Sequence, residues 1–193
     1  MDREIITVTE RPQNISWAEI SSVLIKAHED NVKKGIVLPY PHLPPEKLKA
    51  KTEDRGGKMF VALYKGKVIA TGAVAIIDKN LWCGKGMYAY CFLDAVLPEF
   101  AGQGIYRKIA DAQEEFARNN LVYRMMIDTD ERNSRMLVVS KKNGYRKIQY
   151  RVREGRNSIV LVKWLKGCPY SRLKCAWKFY QIKRDKKRQI QTK

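Results

Sequence analysis

Cysteine and histidine are scarce and scattered in this chain: four Cys and two His in 193 residues. Cys83, Cys91, Cys168 and Cys175 form no C-x-x-C pair, and His28 and His42 stand alone. That leaves no readable zinc pattern, disulfide framework or histidine-centred triad. The thiols are therefore expected in the core or at the surface, and no metal is expected. No apolar run approaches the roughly 18 residues of a membrane span, and MDREIITVTE lacks the apolar core of a secretory leader. The expected location is the cytoplasm. Acidic residues are scarce only in the last quarter. Residues 1–145 carry 22 Lys/Arg and 18 Asp/Glu, a net +4, whereas residues 146–193 carry 16 and 2, a net +14.

Hydrophobic residues make up 45% of the chain, with aromatics spread throughout. That is enough to bury a core and to exclude a disordered chain. The alternation in REIITVT reads as a first strand ended by Pro12. Asn14 or Ser16 can cap a helix with Ile15, Ile20, Val23, Leu24 and Ala27 on one stripe. Four prolines between Gly35 and Pro45 prevent continuous helix there, and a short helix is expected from Pro44 or Pro45 to before Gly56. Lys58–Asp78 reads as a hairpin around Lys65-Gly66, followed by a glycine-rich loop over 80–86 and a strand from Met87 to Val96. A strand over Leu121–Asp128, a helix over Asn133–Asn143 closed by Gly144, and a hairpin of Arg146–Arg153 with Ser158–Leu165 complete the pattern. Residues 1–167 thus form one domain, and 168–193 a basic segment with Leu173, Trp177 and Tyr180 at helical spacing.

The most informative stretch is CFLDAVLPEFAGQGIYRKIADAQEEFARNN, from Cys91 to Asn120. A strand feeds a turn holding Gly102 and Gly104, and the turn feeds a helix with Ile105, Ile109, Ala112 and Phe116 on one face. The first turn of a helix leaves backbone N–H groups unpaired and favours negative charge, and glycines let the main chain approach an anion closely. A pyrophosphate would suit the N–H groups of Gly102, Gln103, Gly104, Ile105, Tyr106 and Arg107.

The run VLPEFAGQGIYRKI resembles the acyl-CoA signature of the GNAT superfamily of N-acyltransferases, in which V-x-P-E-aromatic precedes [R/Q]-G-x-G-x-[G/A]. Downstream, Asn133 and Gly144-Tyr145 resemble that family's second motif. Ala101 stands where the family has Arg or Gln, Tyr106 where it has a small residue, and Ser140 where many members have Tyr. The resemblance implies a single mixed, mostly antiparallel α/β sheet of about seven strands with helices on both faces. It implies acetyl-CoA as co-substrate and direct attack by a primary amine. The pantetheine would run beside the backbone of Ala95, Val96 and Leu97, with the Val96 N–H polarising the thioester carbonyl and Asn133 contacting the coenzyme.

A protonated amine needs a base. Asp94 is the first candidate, because simple alternation puts it on one face with Phe92 and Val96; Asp128 is second and Glu99 third. Ser140 occupies the position of the residue that protonates the departing thiolate, but an alkyl hydroxyl is far less acidic than a phenol. Tyr145, Tyr106 and Tyr123 are alternatives for that role. Arg107, Lys108, Arg135 and Lys141 are candidate contacts for the ribose phosphate. The expected partner is a small-molecule amine acceptor, an amino sugar or other anion being favoured by the positive charge, while the stripe of Leu173, Trp177 and Tyr180 is expected to dock either on the domain itself or on a second subunit of a homodimer. A binding protein that uses the basic C-terminus on nucleic acid or an anionic membrane is the competing reading.

Overall fold

The first helix, α1 (Trp17–Lys33), starts where expected. Ser16 caps it by accepting from the Glu19 N–H at 3.1 Å, and its stripe buries Ile20, Val23 and Leu24. Helix α2 (Pro45–Thr52) begins with proline at its first position, where the missing N–H costs nothing. A short 3-10 turn follows, and Gly56 reverses the chain at φ 64°. The computed structural model describes residues 6–36, 43–78, 87–153 and 156–167. The glycine-rich loop expected over 80–86, the prolines and His42 between 37 and 42, and the basic segment 168–193 lie outside the described residues.

The strands are β1 (Thr7–Glu10), β2 (Lys58–Tyr64), β3 (Lys67–Asp78), β4 (Met87–Val96), β5 (Arg124–Asp130), β6 (Arg146–Arg153) and β7 (Arg156–Trp164). They form one sheet in the order β1-β2-β3-β4-β5-β7-β6. Every neighbouring pair is antiparallel except β4 and β5. This is the single mixed sheet of seven strands that the sequence implied. Helix α3 (Ile105–Asn119) connects β4 to β5, and α4 (Ser134–Lys142) connects β5 to β6.

Alternation sorts the side chains onto two faces. Val74, Cys91, Met125, Ile127, Ile159 and Leu161 face Ala117 of α3 and Met136 and Leu137 of α4. Tyr88, Met126, Val160 and Val162 cluster on the opposite face. That second face, further along the sheet, is covered by α1 and α2, whose Ile20, Leu24 and Leu48 share one core cluster with Ala73 and Ala75 of β3.

Two expectations change. β5 starts at Arg124 rather than Leu121, because Leu121 is in the left-handed region at φ 56° and Val122 gives its N–H to Ala117, closing α3. The buried face of α3 runs through Ile105, Ile109, Ala110, Gln113, Glu114 and Ala117, with Phe116 half-buried against the core at its margin and Ala112 half-exposed. Its polar members are satisfied. Glu114 takes Lys163 Nζ at 2.5 Å, and Gln113 donates to Ala73 O at 3.0 Å.

Helix α3 reaches the sheet where β3 has no side chain. A Cβ on Gly72 would stand 2.3 Å from Ile109 Cγ2 and 2.8 Å from both Asp94 Oδ1 and Gln113 Nε2. Gly72→Ala is therefore expected to destabilise the protein by about 1–3 kcal/mol, the usual cost of overpacking. Thermal unfolding checks this; an unchanged Tm would show that α3 is free to move off β3.

Candidate active site

β4 and β5 run parallel but pair only at Ala89 with Met125 and Tyr90 with Met126. Beyond those residues the two strands separate. β4 also carries a bulge. Ala73 faces Phe92 and Thr71 faces Ala95, so Leu93 and Asp94 together stand opposite Gly72. Leu93 holds φ 57°, a conformation that costs a branched residue about 1–2 kcal/mol and that persists only where neighbours over-determine it. Here Thr71 Oγ1 donates to Leu93 O at 2.8 Å, and the His28 ring of α1 is hydrogen-bonded to the Asp94 backbone. A bulge bends its strand and sharpens the twist, which turns the end of β4 away from β5.

Past the bulge, Leu97 gives its N–H to Ile69 O at 2.9 Å. Backbone donors alternate sides along a strand, so the Val96 N–H points into the gap between β4 and β5. Ala95 and Leu97 belong to the side paired with β3.

The glycine turn adjoins that gap. Gly102 and Gly104 have φ 81° and 75°, and a Cβ on either would meet nothing within 4 Å. Their bare faces look outward. Gly104 is the N-cap of α3 with no side-chain cap, which leaves the first N–H groups of the helix, at Ile105 and Tyr106, for an external acceptor. Arg107 is turned elsewhere: its guanidinium holds Asp111 at 2.5 Å and donates to Asn143 Oδ1 at 3.0 Å. The Arg107 side chain thus serves to link α3 to the end of α4, while its N–H bonds Gly104 O within the helix.

Asp94 is not on one face with Phe92. The bulge inserts an extra residue between them, so Phe92 stacks on Tyr90 at 5.6 Å between ring centres, whereas the Asp94 carboxylate goes under α3 and accepts from Gln113 Nε2 at 2.7 Å. Burial raises its pKa to about 7 against the pull of the Gln113 donor. Cys91, Tyr106 and Tyr145 share this region. Cys91 and Tyr145 are hydrogen-bonded to each other, and burial pushes all three well above their ordinary values, so thiol and phenols stay protonated.

Asp128 lies on the opposite face, with Met126 and Val160, just past the last β4–β5 pair. The Tyr90 hydroxyl donates to Asp128 Oδ1 across the opening of the gap. Glu99 forms an exposed ion pair with Lys26 at 2.7 Å. Asn133 caps α4 by accepting from the Met136 N–H at 3.1 Å, in a turn held by the Arg132 fork on buried Asp130 at 3.0 Å. Ser140 is fully buried and donates to Met136 O at 2.7 Å within α4, so its hydroxyl is committed to the helix.

Sequence reasoning missed Gly72, His28, Tyr90 and Gln113. His28 lies four residues after Leu24 and Gln113 four after Ile109. A polar residue continuing an apolar stripe was the available signal. Burial lowers the His28 pKa despite its bond to Asp94, so the ring is neutral at neutral pH.

The acetyltransferase (GNAT) family model matches residues 17–145. Similar solved structures include an acetyltransferase from Streptococcus agalactiae, at TM-score 0.66 and 20% identity over 83% of this chain and 98% of that one. The ribosomal-protein-S18-alanine N-acetyltransferase of Escherichia coli aligns at TM-score 0.63 and 14% identity over 83% and 94%. A putative acetyltransferase of Salmonella typhimurium, solved with acetyl-CoA, aligns at 0.63 and 15% over 84% and 95%. At these identities the likeness is one of fold. No curated protein matches the sequence.

Because its carboxyl pKa is higher in the folded than in the unfolded state, Asp94 binds a proton preferentially in the native protein between about pH 4 and 7. Its contribution to stability is therefore fully present below the unfolded value and is lost as pH rises through about 7. Asp94→Asn removes that dependence. The Tm of the variant relative to wild type is expected to rise as pH increases through this window, and a difference constant with pH would contradict the buried setting.

Proposed function

The chain belongs to the acetyltransferase (GNAT) family and is an acyltransferase, and from that premise we propose that it moves an acetyl group from acetyl-CoA to a primary amine by direct attack. The observation that carries this reading is the gap between β4 and β5, with the Val96 N–H directed into it beside the open glycine turn. The residues fit the co-substrate: bare Gly102 and Gly104 and the first N–H groups of α3 suit the pyrophosphate, and the free edge of β4 suits the pantetheine. The amine nitrogen attacks the thioester carbonyl, the Val96 N–H stabilises the negative charge that develops on oxygen, and the C–S bond then breaks to leave the coenzyme thiolate. Ala95 and Leu97 turn their backbone groups toward β3, so this reading gives the seat to Val96, with Asn133 supporting it through the α4 turn.

For the base we favour Asp128 over Asp94. Asp128 lies at the mouth of the gap on the face away from α3, whereas Asp94 is directed beneath α3 and holds Gln113. Tyr90 orients the Asp128 carboxylate. Ser140 has its hydroxyl engaged within α4, so the thiolate, with an ordinary thiol pKa of about 8.5, takes its proton from solvent. The net charge of +18 favours an anionic small-molecule acceptor, such as an amino sugar linked to a nucleotide, over a polyamine.

One experiment tests the reading: acetyl-CoA turnover against a panel of amines that includes amino sugars, with thermal shift by acetyl-CoA measured in parallel. Wild type is expected to be stabilised and to turn over. Gly104→Val should lose the shift, and Asp128→Asn should keep it while kcat falls about 10²-fold, less so at high pH. A folded Gly104→Val protein with unchanged acetyl-CoA affinity would overturn the coenzyme site.

A further inference from the structure

With Asp128 as base on one face of the sheet and the coenzyme seated at the start of α3 on the other, the sulfur leaves on the α3 side. A group that hands it a proton must stand there. Four titratable side chains of the described residues share that space: Cys91, Asp94, Tyr106 and Tyr145. Cys91 and Tyr145 are hydrogen-bonded to each other, and burial holds both, with Tyr106, protonated well above their ordinary values. A thiolate with the ordinary thiol pKa of about 8.5 takes a proton from any of these three only uphill. The charges nearby are already matched: Glu114 of α3 meets Lys163 of β7 and Arg118, and Arg107 holds Asp111. His28 of α1 reaches only the Asp94 backbone and is held neutral by burial.

Asp94 is built differently. Its Oδ1 accepts from Gln113 Nε2 at 2.7 Å, and the same nitrogen gives its other hydrogen to Ala73 O at 3.0 Å. Gln113 is buried, so its amide is fixed with both hydrogens committed. A proton on the Asp94 carboxyl therefore sits on Oδ2, because Oδ1 faces a donor. Oδ2 makes no hydrogen bond among the described residues and is not sealed from water, Asp94 being half-buried. The bulge sets this carboxyl on the α3 face two residues before Val96, whose N–H enters the gap. With its pKa raised to about 7 by burial, proton transfer from Asp94 to a thiolate is downhill by about thirtyfold, the difference between about 7 and about 8.5.

We propose that Asp94 is the acid of the reaction, its Oδ2–H delivering to the departing sulfur the proton that solvent supplies. This assignment rests on the acetyl-transfer reading above. The carbon–nitrogen bond forms and the carbon–sulfur bond breaks with its electron pair on sulfur. Asp94 gives the sulfur a proton, Asp128 takes the one that the nitrogen sheds, and water returns both carboxyls to their starting states. The Gln113 N–H then stabilises the Asp94 carboxylate left behind. Two carboxyls on opposite faces thus take opposite roles because their surroundings differ.

The test joins the pH profile of kcat to a titration that needs no turnover. Wild-type kcat is expected to fall as pH rises through about 7, where Asp94 loses its proton. Asp94→Asn should lack that fall and lower kcat about 10²-fold at pH 6, with the KM for acetyl-CoA and the thermal shift that it produces unchanged. Gln113→Met, which removes the donor that favours the carboxylate, should move the fall to higher pH. In the wild-type protein, carbon-13 NMR of the Asp94 carboxyl should give different midpoints in complexes with coenzyme A and with desulfo-coenzyme A, which lacks the sulfur. Profiles of one shape for wild type and Asp94→Asn, or one midpoint for both complexes, would overturn the assignment and leave acetyl transfer standing. A wild-type protein with neither thermal shift nor turnover would remove both.

Discussion

The site depends on one local mismatch, two residues of β4 standing against one of β3. Leu93 and Asp94 face Gly72 alone, and the bulge is held from three directions: Thr71 on the Leu93 carbonyl, His28 on the Asp94 backbone, and Gln113 on the Asp94 carboxylate. Each of these groups is polar and at least partly buried, so leaving one unpaired would cost about 1–3 kcal/mol. Gly72 makes the arrangement possible by leaving room for Ile109, Asp94 and Gln113 at once. Without the bulge, β4 could stay paired with β5, and the Val96 N–H would be consumed by the sheet instead of facing a gap.

The two carboxylates near the gap illustrate how backbone geometry separates chemical roles. Asp94 and Asp128 both come from strands flanking the opening, yet one extra residue sends Asp94 to the α3 face. There it serves as a hydrogen-bond acceptor in low dielectric, with a pKa raised to about 7. Asp128 remains opposite, bonded to Tyr90. The polar cluster of Cys91, Tyr106 and Tyr145 beneath α3 is held neutral by burial.

Most of the element order was legible in the sequence because its signals are local. Ser16 as a cap, Pro45 opening a helix, Lys65-Gly66 in a hairpin and Gly144 at φ 84° each depend on a few neighbouring residues. The glycine turn before α3 was legible for the same reason. What alternation could not reveal was the bulge, since a strand with one extra residue reads as a continuous strand and reverses the face of everything after it. The partners of Asp94 and Asp128 were equally hidden. Gln113 and Tyr90 lie 19 and 38 residues from the groups they hold, and His28 belongs to a helix 66 positions earlier than Asp94. Ser140 illustrates the reverse case: its position in a family motif suggested chemistry, while its bond to Met136 O four residues back gives it a helical role.

Amide hydrogen exchange with and without acetyl-CoA tests the central claim most directly, because it reads the backbone donors one by one. Binding is expected to slow exchange at Val96 and at Gly102–Tyr106, with little change in β1 and β2 on the far side of the sheet. Protection that spares Val96 and the glycine turn, or that appears at the β1–β2 end instead, would contradict the claim that the bulge of β4 opens the acyl-transfer site.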